Sequence, residues 1–398
     1  MKKFIGGFLI LFLLSGLSAN ASEAGDFLIQ VDLDDTPHEG CSILKVKPDG
    51  TLSEFVSGLD ILRATRLASC DFADVGMAAG LDGRIYFSED TSDNIMFALG
   101  NGVVETFITD TVVNMIVPTT VDWDNGMAIN PVTGTLVAAD EDNETIMEFP
   151  TDVPTPILDP ALINILATEA DFEALIGAGN VNLEGGIALD QQQNIYIVND
   201  DSESVIFKLT AQGDLSILCT EAQLDAAPGV GPSINLDVGV AFDGSLFVAD
   251  DGSCDCIIEI NPVTCDPQVF ITEAEINNVT GNTSTDPEGG LCVDGNMNLY
   301  LGDDGSAPGD SDRPNVVQIP TGNALAASLF VSADDVRDFY TNLVGPGESP
   351  RFEGACTVKL VDSPIAEVPT LSEWGLISMA AILGIVGFIV ARRRMVKA

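Results

Sequence analysis

Six acidic residues recur at one position of a repeated segment, and their spacing suggests a site that binds cations. Each stands two residues before the small residue that opens a short apolar run. The six are Asp74, Asp124, Glu184, Asp237, Glu288 and Glu353. Carboxylates that lie close together raise one another's pKa unless a cation neutralises them, and oxygen ligands favour a hard cation such as Ca²⁺. If the fold gathers these side chains, the sequence predicts a calcium site.

A structural role also explains these acids, and the sequence leaves both interpretations open. Each carboxylate could instead accept hydrogen bonds from backbone N–H groups of its own loop. A second recurring set of acids ends the following apolar run, at Asp90, Asp140, Asp200, Asp250 and Asp303. Capping of the turns that follow is the expected role of this second set. The loop 303–312 is rich in oxygen ligands but lacks the Asp-x-Asp-x-Asp-Gly signature of a calcium loop.

Composition excludes several classes of function. The chain of 398 residues carries a formal net charge of −45, whereas nucleic-acid binding requires a basic surface. His38 is the only histidine, so a metal site with several histidines is excluded. No Gly-x-Ser-x-Gly motif marks a serine nucleophile. With 46% apolar residues, the chain can bury a large core and is not disordered as a whole.

The acids belong to a repeat of about 50 residues, because the first five begin 50, 60, 53 and 51 residues apart. Each repeat has two short apolar runs joined by a Gly/Asp/Asn turn, then a third run and a fourth. This pattern predicts four antiparallel strands per repeat, which is a β-propeller blade. The N-terminal repeat (27–56) lacks a first strand, and Glu353–Leu360 has the sequence of one. We therefore predict an all-β, six-bladed propeller closed by its last strand.

Short helices are predicted after most blades, on one rim of the propeller. Four inserts begin with Thr or Ser followed by acids, at Thr168, Thr220, Thr272 and Ser332. Such a residue caps a helix N-terminus, and acids in the first turn favour the helix dipole. The longest insert, 154–182, is predicted to hold two helices.

The repeats resemble the blades of the NHL and gluconolactonase/regucalcin-like six-bladed propellers, over most of residues 26–362. The shared features are a Gly-x-Ala-x-Asp inner strand and a Leu/Ile-Tyr-Val-x-Asp second strand. The resemblance implies a divalent metal at one tunnel mouth, held by Glu, Asn and Asp, and it adds Asn125 to the candidate ligands. In the other repeats the slot of Asn125 is filled by Val75, Gly185, Val238 and Gly289, and the acids stand one residue earlier.

The N-terminus predicts export. Two lysines precede an apolar run that ends at Ser18, and Ala19-Asn20-Ala21 has small residues at the −3 and −1 positions of a cleavage site. We predict a signal peptide over 1–21; an uncleaved anchor is the alternative. The propeller then covers 22–365, followed by a linker with a sorting motif (366–375), a transmembrane helix (376–391) and a cytoplasmic basic tail (392–398).

The C-terminal segment resembles the IPTL-CTERM sorting signal of Gram-negative bacteria. That signal combines Ile-Pro-Thr-Leu-x-x-Trp-Gly, a membrane span and an arginine cluster. The matching residues are Val368, Pro369, Thr370, Leu371, Trp374 and Gly375, with Val368 in place of Ile. The resemblance implies an exosortase-type protease as partner, a membrane-anchored precursor after export across the inner membrane, and a final place at the cell surface or outside. An ordinary tail anchor is the alternative.

The eight cysteines are an even number, which in an exported chain favours disulfides. Cys254, Cys256 and Cys265 fall in one repeat, and the Cys254-Asp-Cys256 spacing does not fit a zinc knuckle. Cys292 and Cys356 fall on first strands of adjacent blades, where a bridge would lock the ring with a gain of about 3–5 kcal/mol. Buried free thiols are the alternative for these two.

The sequence favours an exported, surface-sorted propeller that binds a surface ligand or serves as a scaffold without catalysis, and it suggests Ca²⁺ as a stabilising ion at the tunnel mouth. The alternative is a metal-dependent lactonase or esterase of the gluconolactonase-like type. A structural component of an extracellular matrix is a third interpretation.

Overall fold

The computed structural model describes residues 27–357, except for 35–40, 68, 71, 124–125, 184–185, 201–203, 232–233, 235, 237–239, 253, 288–289, 295, 304, 307–314 and 344–348. Side chains of 32–34, 73–75, 240, 341–343 and 349–357 are likewise outside the described part. The chain divides into a unit that ends at Leu360 and a second, Val361–Ala398. The predicted signal peptide, sorting motif, transmembrane helix and basic tail all lie outside the described residues. Within the described residues, no helix has the length and apolar character needed to span a membrane.

The described chain forms six four-stranded antiparallel sheets, which are the blades of a propeller. Blade 1 contains β1 (Phe27–Asp34), β2 (Cys41–Val46), β3 (Leu52–Val56) and the last strand, β24 (Ser349–Thr357). Blade 2 contains β4 (Phe72–Ala79), β5 (Ile85–Glu89), β6 (Asn94–Ala98) and β7 (Val104–Ile108). Blade 3 contains β8 (Met127–Ile129), β9 (Leu136–Asp140), β10 (Thr145–Phe149) and β11 (Asn164–Ala167).

The remaining blades repeat this order. Blade 4 contains β12 (Ile187–Leu189), β13 (Ile195–Asn199), β14 (Val205–Leu209) and β15 (Leu215–Cys219). Blade 5 contains β16 (Val240–Phe242), β17 (Leu246–Asp250), β18 (Cys256–Ile260) and β19 (Pro267–Ile271). Blade 6 contains β20 (Leu291–Val293), β21 (Asn298–Asp303), β22 (Asn315–Pro320) and β23 (Ser328–Val331). The prediction of an all-β, six-bladed propeller is confirmed.

The last strand closes the ring, as predicted. In the sheet of blade 1, β24 pairs antiparallel with β1, and Thr357 lies opposite Phe27. Each inner strand contacts the inner strands of both neighbouring blades, and β24 contacts β20 on one side and β4 on the other. Across the same seam, the ring of Phe27 stacks on Tyr300 with centroids 4.6 Å apart, and the hydroxyls of Ser42 and Tyr340 are hydrogen-bonded.

The core lies between the blades. Among the described residues, six clusters of buried apolar side chains each join two successive blades. Because a neighbour covers each face of a blade, all five residues of β5, β9, β13 and β17 are buried. Outer strands such as β7 and β15 keep exposed positions. This burial explains why the second strands read as continuous apolar runs.

Six α-helices follow the outer strands and occupy equivalent places on the rim. They are α1 (Gly58–Thr65), α2 (Asp110–Val113), α3 (Glu169–Ile176), α4 (Glu221–Leu224), α5 (Glu273–Thr280) and α6 (Ala333–Leu343). Thr168, Thr220 and Thr272 are N-caps with capping boxes, as their sequence predicts. The contacts of α1 with β7, α3 with β15, and α6 with β3 show that helices pack on the following blade.

The prediction of two helices in the insert 154–182 was wrong. The segment holds the outer strand β11, the helix α3 and only a single turn of 3₁₀-helix, Pro160–Leu162. Its first part contains Pro154, Pro156 and Pro160, and proline supplies no N–H donor for a helix interior. Blade 3 therefore reaches its fourth strand only after a long proline-rich turn.

Three disulfides are present among the described residues. They are Cys41–Cys70, Cys219–Cys265 and Cys254–Cys256. The second joins the end of β15 to the turn after β18 and so fastens blade 4 to blade 5. The remaining two cysteines are Cys292, on β20, and Cys356, on β24, whose side chain is not described. Their strands are in contact, and the bridge between them stays a prediction.

Candidate metal and ligand site at the axial mouth

In the sequence, the six predicted acids stand on, or three residues before, the inner strands. Asp124, Asn125, Glu184, Asp237 and Glu288 lie outside the described residues. Asp74 and Glu353 lie on β4 and β24, with side chains that are not described. We call the inner-strand starts, together with the adjoining ends of the second strands at Glu89, Asp140, Asn199, Asp250 and Asp303, the mouth.

Inner strands come very close together at the mouth. A Cβ atom added to Gly126 would lie 2.8 Å from the Cα atom of Gly186 and 2.9 Å from the backbone nitrogen of Ile187. Only glycine fits this approach of two backbones. Gly126 and Gly186 therefore mark a point at which the inner strands of blades 3 and 4 approach each other closely.

Replacing Gly126 by alanine should lower the free energy of unfolding by about 1–3 kcal/mol, because the new methyl group meets rigid backbone. Gly322→Ala is the matched control, since a Cβ atom there would meet nothing within 4 Å. Chemical denaturation of both variants measures the difference. Equal stabilities would show that the inner strands do not approach as described.

Buried side chains at the ends of second strands hold the segments that lead to the acids. Asp140 Oδ1 accepts a hydrogen bond from the backbone N–H of Asp122 at 3.1 Å. Asn199 Oδ1 accepts from Asn182 at 2.8 Å, and Asp303 Oδ1 accepts from Asp286 at 2.9 Å. Each donor stands two residues before a predicted acid. The predicted structural role of Asp140 and Asp303 is therefore confirmed, and it extends to positioning the mouth.

The strand register shows that the residues at the ends of the second strands differ in part from those that the sequence alignment gave. Phe87, Ala138, Ile197, Val248 and Leu301 pair with equivalent residues of the inner strands. Two residues further on stand Glu89, Asp140, Asn199, Asp250 and Asp303, all completely buried. Asp90 and Asp200, which the sequence aligned with this set, instead lie one residue beyond it. Blade 4 thus has a neutral amide where blades 2, 3, 5 and 6 have a carboxyl group.

Glu353 departs from the other five acids by one residue. Gln30 pairs with Gly354 and Val31 with Phe352, so the register shift leaves Glu353 between the pairs. This is the geometry of a β-bulge. In the register of blade 1, Ala355 lies opposite Ile29, where the sequence alignment placed Cys356. Glu353 therefore lies at an irregularity of its inner strand.

Burial raises the pKa of two of the strand-end carboxyl groups. It brings the pKa of Asp140 to about 7, although hydrogen bonds from Asp122 and Asn143 act in the opposite direction. The pKa of Asp303 also rises to about 7 through burial, against hydrogen bonds from Asp286, Gly305 and Asn282. Asp140 and Asp303 therefore bind protons at a higher pH than exposed carboxyl groups do.

A group of carboxylates at the seam between blades 2 and 3 was not predicted. Oxygen atoms of Asp90, Asp93 and Asp122 lie within 4.8 Å of one another. Burial, followed by the charges of Asp122, Asp90, Asp110 and Glu89, raises the pKa of Asp93 to about 7. Trp123 Nε1 donates a hydrogen bond to the carbonyl of Asp93 at 3.0 Å, which ties the two blades together here.

The seam between blades 5 and 6 has an equivalent group. Burial, followed by Glu273, Asp250 and Asp286, raises the pKa of Asp255. Asp93 and Asp255 both directly precede a third strand and have positive φ angles of 51° and 42°. Asp110 and Glu273 both begin a rim helix, and Asp122 and Asp286 both lead to an inner strand. A comparison of turn positions between repeats, rather than strand positions, could have found these groups.

Few basic side chains balance these acids. Lys208 is the only Lys or Arg between residues 85 and 312. Its Nζ donates to the carbonyl of Pro262 at 3.2 Å and lies 5.2 Å from the ring centre of Tyr196. Lys208 therefore joins blade 4 to blade 5 at the turn after β18, away from the mouth.

Gln30 adds a buried polar group near the mouth. It stands one residue before Val31, which occupies the strand-end position in blade 1, and it pairs with Gly354. Its side chain is completely buried, and neither Oε1 nor Nε2 has a hydrogen-bond partner. An unpaired buried amide costs free energy unless water or an ion completes its contacts.

Acids at the other end of the strands serve as caps. Asp190 accepts hydrogen bonds from the backbone of Gln192 and Asn194, from the amide of Asn194 and from the hydroxyl of Tyr196. Asp294 makes the same contacts in blade 6. Asp190 and Asp294 are therefore occupied as structural caps of their turns.

Residues 368–394 match a known family model. The C-terminus carries an IPTL-CTERM motif. The IPTL-CTERM motif marks a bacterial protein for processing at the membrane by exosortase-type machinery and for sorting to the surface. The match confirms the prediction of a C-terminal sorting signal. Since the match covers only the C-terminal segment, it describes the address of the protein rather than the activity of the propeller.

Several solved structures are similar to the chain over most of its length, at low sequence identity. A gluconolactonase from Xanthomonas campestris is 13% identical, with 76% of this chain and 87% of that chain covered and a TM-score of 0.43. Virginiamycin B lyase from Staphylococcus aureus is 13% identical, with 77% and 88% covered and a TM-score of 0.42. A protein of unknown function from Bacteroides caccae is 14% identical, with 84% and 100% covered and a TM-score of 0.47. No curated relative matches the chain.

Proposed function

We propose that the protein is a surface-displayed propeller that binds a ligand or partner without catalysis and is stabilised by Ca²⁺ at its mouth. The observation that carries the proposal is the group of carboxylates where blades 2 and 3 meet, in which burial, followed by the charges of neighbouring acids, raises the pKa of Asp93 to about 7. Crowded carboxylates favour a hard divalent cation, which replaces mutual repulsion with attraction. A binding function needs only a rigid, charged surface of this kind.

The residue types near the mouth fit a calcium ion. The predicted ligands are Asp74, Asp124, Asn125, Glu184, Asp237, Glu288 and Glu353, and all offer oxygen atoms. Gln30, buried and unpartnered beside Gly354, supports the proposal independently, because an amide oxygen or an ordered water bound to it completes an oxygen shell. The single histidine, His38, is outside the described residues.

Calcium should raise the melting temperature of the purified protein. At a concentration 100 times the dissociation constant the gain is about 2.7 kcal/mol, or about 5 °C for a domain of this size. Sodium chloride at matched ionic strength is the control, since screening alone also relieves repulsion. Melting curves in EDTA, millimolar Ca²⁺ and the salt control measure the effect. No shift beyond that of sodium would remove calcium from the proposal.

An assay against a panel of lactones and aryl esters, with and without EDTA, tests the absence of catalysis. The expected result is no turnover above that of buffer. Turnover that EDTA abolishes and that Asp237→Asn also removes would instead establish the lactonase or esterase alternative. Binding to cell-surface glycans or proteins is measured separately, so loss of the calcium effect does not hide a ligand.

Sorting should change the C-terminus of the mature protein. We propose export across the inner membrane of a Gram-negative cell, anchoring by residues 376–391, and cleavage near Pro369-Thr370 by an exosortase-type protease. Val368, Leu371, Trp374 and Gly375 complete the recognised sequence. Mass spectrometry of surface material should then find no peptide from Arg392–Ala398. An intact tail on the surface protein would show that the segment is an ordinary anchor.

A further inference from the structure

The Cys254–Cys256 disulfide closes a very small loop in the turn between β17 and β18. Its cysteines are 2 residues apart, whereas the other two disulfides span 29 and 46 residues. A cross-link stabilises a fold mainly by restricting the unfolded chain, and a short loop restricts it least. Stability of the propeller is therefore a weak reason for this bond, and its position next to buried Asp250 suggests another role.

Asp250 completes a set of three ligand atoms. One carboxylate oxygen of Asp250 and the Sγ atoms of Cys254 and Cys256 all lie within 4.8 Å of one another. Asp250 is completely buried, with Oδ1 accepting from the N–H of Gly252 at 3.1 Å and Oδ2 from the N–H of Cys254 at 3.0 Å. The carboxylate is thus fixed by the same turn that carries both sulfur atoms. Sequence spacing alone did not suggest this set, because Asp250 stands outside the Cys-x-Cys motif.

The distances fit a tetrahedral metal ion once the disulfide is open. Zinc–sulfur bonds of about 2.3 Å place two thiolates about 3.7 Å apart, and a carboxylate oxygen bonds at about 2.0–2.2 Å. A small separation of the two sulfur atoms within the turn satisfies this geometry. Two thiolates also select a thiophilic ion over calcium, which prefers oxygen ligands.

The electrostatic surroundings favour a divalent cation. Asp255 lies between the two cysteines, and Glu273 and Asp286 act on it from α5 and from the segment before β20. The nearest Lys or Arg in the sequence, Lys208, contacts the turn at the far end of β18 instead. Binding of a dication by two thiolates and one carboxylate therefore lowers the local excess of negative charge.

We propose that reduction of Cys254–Cys256 converts this turn into a zinc site formed by Asp250, Cys254 and Cys256, with a fourth position open to water or a ligand. Cys254 is partly exposed and Cys256 is 1% exposed, so a reducing thiolate attacks Cys254 Sγ. The disulfide bond breaks, and its electron pair leaves on Cys256 Sγ, which takes a proton. The second thiol of a dithiol reductant then forms the reductant's own disulfide and releases Cys254 as a thiol. Zinc binding expels the two thiol protons.

The reverse step gives the site a defined chemical trigger. An oxidant that accepts two electrons, such as a protein disulfide, re-forms Cys254–Cys256 and releases zinc, while its own disulfide is reduced to two thiols. Disulfide and metal are mutually exclusive at these sulfur atoms. The proposal does not depend on calcium binding or on the ligand-binding function, since its donor atoms include sulfur.

Zinc titration of the oxidised and the reduced protein tests the proposal. A phosphine reductant, removed before titration, opens the bond, and millimolar Ca²⁺ occupies sites made only of oxygen. Against a chromophoric chelator we expect one zinc per reduced chain and none per oxidised chain. Alkylation and mass spectrometry should then find Cys254 and Cys256 modified in the reduced protein and protected by zinc. Equal zinc binding by both forms, or none by the reduced form, overturns the proposal.

Variants separate the ligands from the general charge. Asp250→Asn should weaken zinc binding by about 10-fold or more, whereas Asp251→Asn, which removes the neighbouring charge, should change it less than about 3-fold. The double variant Cys254→Ser, Cys256→Ser should bind no zinc after reduction. Zinc retained by the double variant would assign the ion to another site and reject this one. The comparison of oxidised and reduced wild-type protein needs no variant and decides the question if a variant fails to fold.

Discussion

Deleting the last strand should prevent the propeller from folding, and moving the same strand to the front of the chain should restore it. In the first variant the chain begins at Phe27 and stops before Ser349. In the second, Ser349–Thr357 precedes Phe27 through a short Asn-Gly turn. The join is short because Thr357 lies opposite Phe27 in an antiparallel pair. A chain that runs from Phe27 to Thr357 is the matched control.

The physical reason is that β24 belongs to three contacts at once. It pairs with β1 and touches the inner strands β4 and β20. Without it, β1 presents an unpaired edge, and the apolar side chains at the seams of blade 1 lose part of their cover. We expect aggregation of the deletion variant on gel filtration, and for the permuted variant a monomer that melts within about 5 °C of the control. A deletion variant that remained monomeric with an unchanged melting temperature would refute closure by this strand.

The propeller could be predicted from sequence because its strands, hairpins and repeats each leave a pattern in a short stretch of the chain. Alternation of apolar runs and turns marks each hairpin, and the spacing of the acids marks the repeat. Closure of the ring could be inferred from the number of strands, because the first repeat lacks a first strand and Glu353–Leu360 has the sequence of one. The observed strand, Ser349–Thr357, begins four residues earlier than that segment, because pairing with β1 rather than the motif decides where the strand starts.

Contacts between blades could not be predicted in the same way. Asp93 and Asp122 are 29 residues apart and belong to different blades, and only the packing of the seam brings their carboxylates together. The insert before α3 is long enough for a second helix, and its length suggested one. Pro160 and the prolines near it oppose helix formation there. The sequence alone does not reveal the disulfide pairing either, because Cys219 and Cys265 come together only when blade 4 packs on blade 5.

The presence of both carboxyl groups and an amide at the strand-end position also has a physical cause. Glu89, Asp140, Asn199, Asp250 and Asp303 share burial and the task of accepting backbone N–H groups. An amide oxygen performs this task as well as a carboxylate, so the sequence need not conserve charge from blade to blade. A sequence pattern that accepts only acids therefore assigns Asp200 to the strand-end position of blade 4, which Asn199 occupies.

Acidification from pH 8 to pH 5 should stabilise the protein. The pKa of Asp140 and that of Asp303 are about 7 in the folded protein, against 3.8 for an unperturbed aspartate. Between these values the folded chain holds protons that the unfolded chain has released, so stability rises as pH falls. The slope is at most about 1.4 kcal/mol per pH unit for each group. The gain ends near pH 4, where the unfolded chain binds the same protons. Chemical denaturation at pH 8, 6.5 and 5 in EDTA measures it.

Asp303→Asn isolates one of these groups. Its side-chain oxygen can still accept from the N–H groups of Asp286 and Gly305. The new amide can donate to Asn282 Oδ1, which is buried and has no hydrogen-bond partner, once the Asn282 amide rotates. The variant should therefore lose up to about 1.4 kcal/mol per pH unit of the slope and gain stability at pH 8, where the wild-type carboxylate is charged. Asp214→Asn removes the same charge from an exposed turn and controls for net charge. Equal slopes in both variants would mean that general repulsion, rather than burial at the mouth, sets the pH dependence.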